Sequence, residues 1–427
     1  MTSERRFDQD LPDLLAQVAQ APAPDYRDLI VQRTARTRQR PAWTFPERWF
    51  PMSAVTSRVA TAPRFPLRIV AMVALLLMAL VVGAVLLVGS QRRVPAPFGP
   101  AAAGRVAYAA SGDIYTADPV TGARTAIVTG PETDLRPVWS LDGTRVVFER
   151  KVNVENGVGR LFVARDDGRG IVAITSEPQQ NLGSYAFSPD GTEVAYTAGP
   201  TDASEMWIAK VDGSGARHLD VGMHAFEAWF RPPNGAEIIF VGNAGSGATN
   251  GIYAVTVATG AVRTVVAPSK GRGIDRITVA PDGSRVAYSN AADPDVGHNS
   301  FQIDVSALDG SGRTTLPMPP GATFQDAAVW SNDSTRIALT RGYSDRNKEM
   351  TLAIIPADGS SSGIESARGL TGCCDTVMEW APDDRSILVS PEDLDNQPKP
   401  QLLLDSTTAA THPAPYAATG DPAWQRR

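Results

Sequence analysis

A chain of 427 residues with 43% apolar and 20% charged side chains is too long for a small stapled scaffold and too apolar for a disordered chain. Its 37 glycines and 33 prolines point to many turns and few long helices. The net charge of −6 is unevenly spread: residues 1–68 carry 11 Arg against 7 acidic side chains, whereas residues 89–427 carry 29 basic and 39 acidic ones. An acidic body lacks the basic patch that displaces phosphate counterions, which excludes nucleic acid as a partner.

Residues 1–68 form an Arg-rich segment with two short predicted helices, in "LPDLLAQVAQA" and in "DYRDLIVQRTARTRQR", the second ending before Pro41. Next comes "PAWTFPERWF", where Trp43, Phe45, Trp49 and Phe50 stand close to Arg40 and Arg48. Rings at headgroup depth and guanidinium on anionic lipid suit a membrane interface, and a disordered juxtamembrane tail or a docking site for a cytosolic protein fits the same residues.

Residues 69–88 read "IVAMVALLLMALVVGAVLLV", twenty residues without a charge. At a rise of about 1.5 Å per residue they match a hydrocarbon core of roughly 30 Å, so a transmembrane helix and a lipid bilayer are expected. The stretch is too long, and too far from the N-terminus, for a cleaved signal, and an uncleaved signal anchor is the expectation. Arg58, Arg64 and Arg68 before the span outnumber Arg92 and Arg93 after it, which predicts a single-pass cell-membrane protein with its N-terminus cytoplasmic. Residues 89–103 then form a Pro/Ala linker with no hydrophobic period.

From residue 104 to 427 one unit recurs. The stretch "FSPDGTEVAY" has counterparts in "VWSLDGTRVVF", "WFRPPNGAEIIF", "TVAPDGSRVAY", "VWSNDSTRIAL" and "EWAPDDRSILV", with anchors Trp139, Phe187, Phe230, Val279, Trp330 and Trp380 spaced 43 to 51 residues apart. Pro presets φ at the turn, Asp142, Asp190 and Asp282 can bond back to nearby backbone N–H groups, and Gly143, Gly191 and Gly283 accept positive φ. The segments that follow, "VVF", "VAY", "IIF" and "IAL", are β-prone with one buried face expected. A later strand such as "RLFVAR" or "EMWIAK", a second Gly turn and a final short strand make four strands per unit.

Units of this length with four antiparallel strands are what a β-propeller blade requires. The aromatic, Ser-Pro-Asp-Gly and Val/Ile-Ala-Phe/Tyr signature resembles the TolB-type, WD40-like (PD40) propeller repeats over about residues 104–427, with Phe187 to Tyr196 matching almost position for position. Two copies depart: Pro232-Pro233-Asn234-Gly235 has an extra residue, and Asn332-Asp333-Ser334 lacks the Gly. The first segment, Gly104 to Thr129, has three strands but no anchor, and Trp424 in "DPAWQRR" supplies one. Six full units plus this composite give an all-β, seven-bladed propeller whose last strand completes the first blade; six or eight blades are the alternatives.

Chemistry is less legible. Gly359-Ser360-Ser361-Ser362-Gly363 matches G-x-S-x-G but lies in a turn, without the strand and helix a nucleophile elbow needs. His218, His224, His298 and His412 are scattered, and the acidic loops at Asp293-Pro294-Asp295 and Glu392-Asp393-Leu394-Asp395 lack a complete Ca²⁺ loop, so no metal, cofactor or catalytic residue is predicted. Cys373 and Cys374 are adjacent and can form a strained vicinal disulfide, free thiols or an intermolecular bond. The repeated aromatics are read as packing between blades, which sends the search for function to the variable loops around the channel and to the Arg-rich tail.

The leading expectation is a non-enzymatic, membrane-anchored extracytoplasmic propeller that binds or senses a protein or envelope ligand. The layout is similar to bacterial sensors with external propellers and to membrane-bound anti-sigma factors, although residues 1–68 contain neither His nor Cys for the zinc pattern of the common anti-sigma type. The alternative is an envelope-assembly scaffold, as the TolB resemblance implies. A hydrolase or lyase with its site at the channel mouth is the weaker third, since propellers host many functions.

Overall fold

The computed structural model describes residues 99–427, apart from 154–156, 201–202, 246–247, 270–272, 292–300, 344–349, 370–376, 392–398, 417 and 419–420. The expected span at 69–88, the Arg-rich segment, Cys373, Cys374, His298 and both acidic loops lie outside these residues. Among the described residues no helix is long and apolar enough to cross a membrane.

Seven antiparallel sheets, each built on a four-strand path, make up the fold. Blades two to seven run in sequence order, starting at Thr133–Trp139, Tyr185–Phe187, His224–Phe230, Ile274–Val279, Phe324–Trp330 and Val377–Trp380. In blade one the C-terminal strand Ala423–Arg426 takes the innermost place and pairs with Ala103–Ala110, with Val106 opposite Trp424. The composite blade predicted from Trp424 therefore closes the ring and removes two free sheet edges. Blade two also carries a short extra strand, Gln179–Gln180, paired to Val158–Arg165.

The sequence suggested strands with one buried face; the second strand of each blade is buried on both. Glu193–Ala198 and Glu237–Asn243 are buried at almost every position, because each blade is sandwiched between two others. The apolar clusters follow the seams: Ala280, Ile303 and Leu316 of blade five pack on Trp330, Ile337 and Leu339 of blade six. The aromatics ending these strands, Phe148, Tyr196, Phe240 and Tyr288, are almost wholly inaccessible to solvent.

Signature turns recur with one hydrogen-bond scheme. The hydroxyls of Ser140, Ser188 and Ser331 donate to the carboxylates of Asp142, Asp190 and Asp333 at 2.6 Å. Partial burial opposes ionisation of these carboxyls, but the Ser hydroxyl and the following Thr hold them below the usual carboxylate range. Gly143, Gly191 and Gly283 take φ of 65°, 68° and 68°, and Ser334 and Asp384 hold the same left-handed place at 59° and 57°. Their side chains offset that cost. The Ser334 hydroxyl accepts the Asp282 N–H at 3.1 Å, and the Asp384 carboxylate accepts the N–H groups of Asn332 and Asp333. The departing turn at Pro232-Pro233 closes one residue later, with the Gly235 N–H donating to the Arg231 carbonyl at 3.0 Å.

Candidate functional site: the central channel

The innermost strands line a central cavity with two lobes. One, of about 450 Å³, is bordered by residues from all seven blades, among them Arg136, Ser184, Trp229, Thr278, Val329, Glu379 and Asp421. The other, of about 290 Å³, lies toward the signature turns. Trp229 and Glu379 border both lobes.

Aligning the inner strands on their anchors shows how the repeat builds this wall. One residue before each anchor stand Val138, Ala186, Trp229, Thr278, Val329, Glu379 and Ala423, and every one of them borders at least one lobe. Three residues before the anchors are Arg136, Ser184, Glu227, Arg276, Ala327, Val377 and Asp421. Inner strands two, four, five and six carry a β-bulge here, between Leu135 and Val138, Ala225 and Ala228, Ile274 and Ile277, and Asp326 and Val329. A bulge re-aims side chains without ending the strand. It lets the Glu227 carboxylate accept the Ile277 N–H of the next blade at 2.8 Å.

The anchors pack between blades and also edge the cavity. The indole N–H groups of Trp139, Trp330 and Trp380 each donate to a carbonyl of the preceding blade, on Ala423, Thr278 and Val329, at 3.0–3.1 Å. Trp139, Phe187, Trp380 and Trp424 line the smaller lobe, together with Pro189, Pro232, Pro281 and Pro382 of the turns. The motif residues, read from the sequence as packing between blades, thus also border the smaller lobe of the cavity. The sequence hides this because a packing role and a lining role use the same side chain.

Charge in the channel is unevenly satisfied. The Arg136 guanidinium donates to Glu149 Oε2 at 2.7 and 3.0 Å and to the carbonyls of Leu182 and Gly183. At the other mouth Arg426 donates to Asn332 Oδ1 and to the Gly99 carbonyl. Glu379 differs. Among the described residues its hydrogen-bond partner is the Trp424 backbone N–H, which donates to Oε2 at 2.8 Å. Burial pushes its carboxyl up to about 8, and the Trp424 N–H opposes this only in part. Burial also raises Asp421 above its ordinary value, with the Arg136 charge pulling the other way. Trp229 keeps 40% of its surface exposed, the one aromatic among the exposed large hydrophobic side chains of the described residues.

Other sequence candidates take no part in this cavity. Ser360 sits in the turn between Met350–Pro356 and Ile364–Glu365, and a strand follows it where an elbow needs a helix. His218 lies 3.8 Å from the Glu205 carboxylate on the outer strands of blade three. Among the described residues no group of three His, Cys, Asp or Glu side chains converges as a metal site. A single copy of the repeat does not mark Glu379 or Trp229. The signal for both was in the alignment of copies, where a charge and a large ring replace small or aliphatic residues one place before the anchor.

Fold and channel together define a seven-bladed β-propeller with a cavity on its axis. No protein-family model matches the chain. Over 107 residues, 25% of the chain, it is 25% identical to the Tol-Pal system protein TolB of Anaeromyxobacter dehalogenans, and it spans 24% of that relative's length. The crystal structure of TolB from Acinetobacter baumannii matches 76% of this chain and 67% of its own at 15% identity, with a TM-score of 0.45. Oligogalacturonate lyase from Vibrio parahaemolyticus matches 74% of this chain and 85% of its own at 10% identity and a TM-score of 0.52, a likeness of fold. The chain is thus a seven-bladed propeller with TolB-like sequence in part of its length.

Proposed function

We propose that the chain is a protein-binding propeller of TolB-like kind, an envelope scaffold that takes a segment of another extracytoplasmic protein into its channel. The observation that carries this reading is the axial cavity, with its apolar wall from all seven blades and an exposed tryptophan within it. A concave apolar site with a few placed polar groups is the usual form of a binding site, and its size suits a few side chains of an extended segment rather than a folded domain. The TolB-like stretch supports the same reading, since that relative is named as a Tol-Pal system protein. In this reading residues 69–88 tether the propeller to the outer face of the cell membrane.

The test replaces Trp229, and separately Val138, by a photo-crosslinking amino acid in the full chain, in intact cells. A discrete adduct with an envelope protein from either position is the expected result. No protein adduct from both positions overturns the reading.

A further inference from the structure

Glu379 stands at a position that the other blades fill with Val138, Ala186, Trp229, Thr278, Val329 and Ala423, so it is the one acid in an otherwise uncharged ring. Its carboxylate borders both lobes of the cavity and receives a single backbone N–H. The two arginines of the channel are already engaged, Arg136 by Glu149 and two carbonyls, Arg426 by Asn332 and Gly99. Asp421 adds a second carboxyl to the larger lobe. A carboxyl partly withdrawn from water ionises readily only beside a cation, and Glu379 has none bonded to it among the described residues.

We propose that the channel binds a cationic side chain, a lysine ammonium or an arginine guanidinium, against the Glu379 carboxylate, with the Trp229 ring lining the same cavity. This rests on the reading that a protein segment enters the channel and specifies the chemistry that segment carries there. An exposed aromatic ring adds a smaller attraction of its own for a cation. The groups around Glu379 reinforce the preference: Tyr416 and Tyr108, stacked 5.5 Å apart at the same seam, have raised hydroxyl pKa values and stay neutral, and no basic side chain bonds to the carboxylate among the described residues. Burial holds Glu379 protonated at neutral pH, so capture of the cation releases its proton to solvent. The step balances as carboxylic acid plus ammonium giving an ammonium–carboxylate pair plus one proton.

The test titrates the full chain in lipid nanodiscs with the peptide acetyl-Ala-Leu-Lys-Leu-Ala-amide and its norleucine counterpart, by calorimetry in two buffers of different ionisation enthalpy. The lysine peptide should bind with release of up to one proton below pH 8, and its affinity should rise up to about tenfold per pH unit from pH 6 to 8, then level off. Glu379→Gln keeps the side-chain shape and an acceptor for the Trp424 N–H; it should abolish both the proton release and the pH dependence and weaken binding at least tenfold at pH 8. The Glu379→Gln chain is first shown to unfold as cooperatively as the parent at pH 6. Equal affinity for the two peptides, pH-independent binding, no binding of either, or indifference to Glu379→Gln each overturns the proposal. A Trp229 adduct without lysine preference sinks this inference and leaves the scaffold reading standing, whereas lysine-dependent binding without any adduct does the reverse.

Discussion

The seam between blades six and seven and the seam between blades seven and one use the same repeat register and differ in what holds them. At the first, the Trp380 indole donates to the Val329 carbonyl, and Arg336 stacks over its ring at 4.8 Å while donating to the Asp384 carbonyl at the next turn. Blades five and six repeat this with Trp330, the Thr278 carbonyl and Arg285. At the closing seam Trp424 is just as buried, but its indole nitrogen has no hydrogen-bond partner among the described residues, and Ser386 stands where Arg336 and Arg285 stand in the other blades. Glu379 occupies that seam, accepting the backbone N–H of Trp424. One seam is fully bonded, while the other carries an acid and an unpaired indole beside the channel. At this position blade seven places a carboxyl where most blades have a small or aliphatic side chain, in the seam that has fewer hydrogen bonds to hold it.

The largest expected contrast is at the anchors. Trp380→Ala should cost about 3–5 kcal/mol in urea unfolding, through the emptied seam, and Trp380→Phe about 1–2 kcal/mol for the lost indole bond and cation contact. Trp424→Phe has no hydrogen bond or cation contact to lose, only buried ring volume, and should cost about 1 kcal/mol less than Trp380→Phe. Equal costs for the two Phe variants would break the comparison.

Next in size is the pH dependence of the closing seam. Glu379 keeps its proton in the folded chain up to about 8, and an unfolded chain loses it in the ordinary carboxylate range. Between those two values the folded state holds more protons, so the stability contributed by protonated Glu379 is whole at acid pH and is lost as pH rises toward 8. Glu379→Gln should be nearly neutral at pH 5 and stabilising by about 3 kcal/mol at pH 9. Denaturation midpoints of parent and variant that stay parallel from pH 5 to 9 would remove Glu379 as the cause.

The turns sharpen the contrast further. A Cβ at Gly283 would sit 2.1 Å from the Pro232 carbonyl oxygen of the neighbouring blade, whereas at Gly191 the nearest atom is 3.8 Å away. Gly283→Ala should therefore cost about 2–3 kcal/mol and Gly191→Ala about 1 kcal/mol, the latter for positive φ alone. Thermal unfolding of the two variants side by side checks whether contact between turns of adjacent blades, or the turn conformation itself, sets the cost.

The blades were legible because each is local. Trp139, Phe187, Trp330 and Trp380 end inner strands, Trp424 lies in the closing strand, and Asp142, Asp190 and Asp282 each accept a backbone N–H two residues on in the turns that follow an inner strand. Bulges in the inner strands were not legible, since each sets two residues, such as Arg136-Pro137, opposite one on the partner strand, and that pairing exists only once the blade has formed. Nor was the double role of the motif, because burial against a neighbour and exposure to an axis depend on where the neighbour lies. The standing of Ser334 and Asp384 as left-handed turn residues also needed the ring: each side chain earns its place by bonding the turn of the preceding blade.

By itself the sequence determined the unit: a turn with Pro, Asp and Gly, a strand with an aromatic end, and a spacing that forces four-stranded blades, all of it chemistry acting within about fifty residues. It also determined that the strand around Trp424 was needed to complete the first blade. Only the tertiary structure decided which residues face the axis. Glu379 and Trp229 come from blades seven and four, some 150 residues apart in the chain, and they meet one cavity only after seven sheets have closed around it. The shift of the Glu379 carboxyl has the same origin, because removal of water from a side chain is a property of everything that surrounds it.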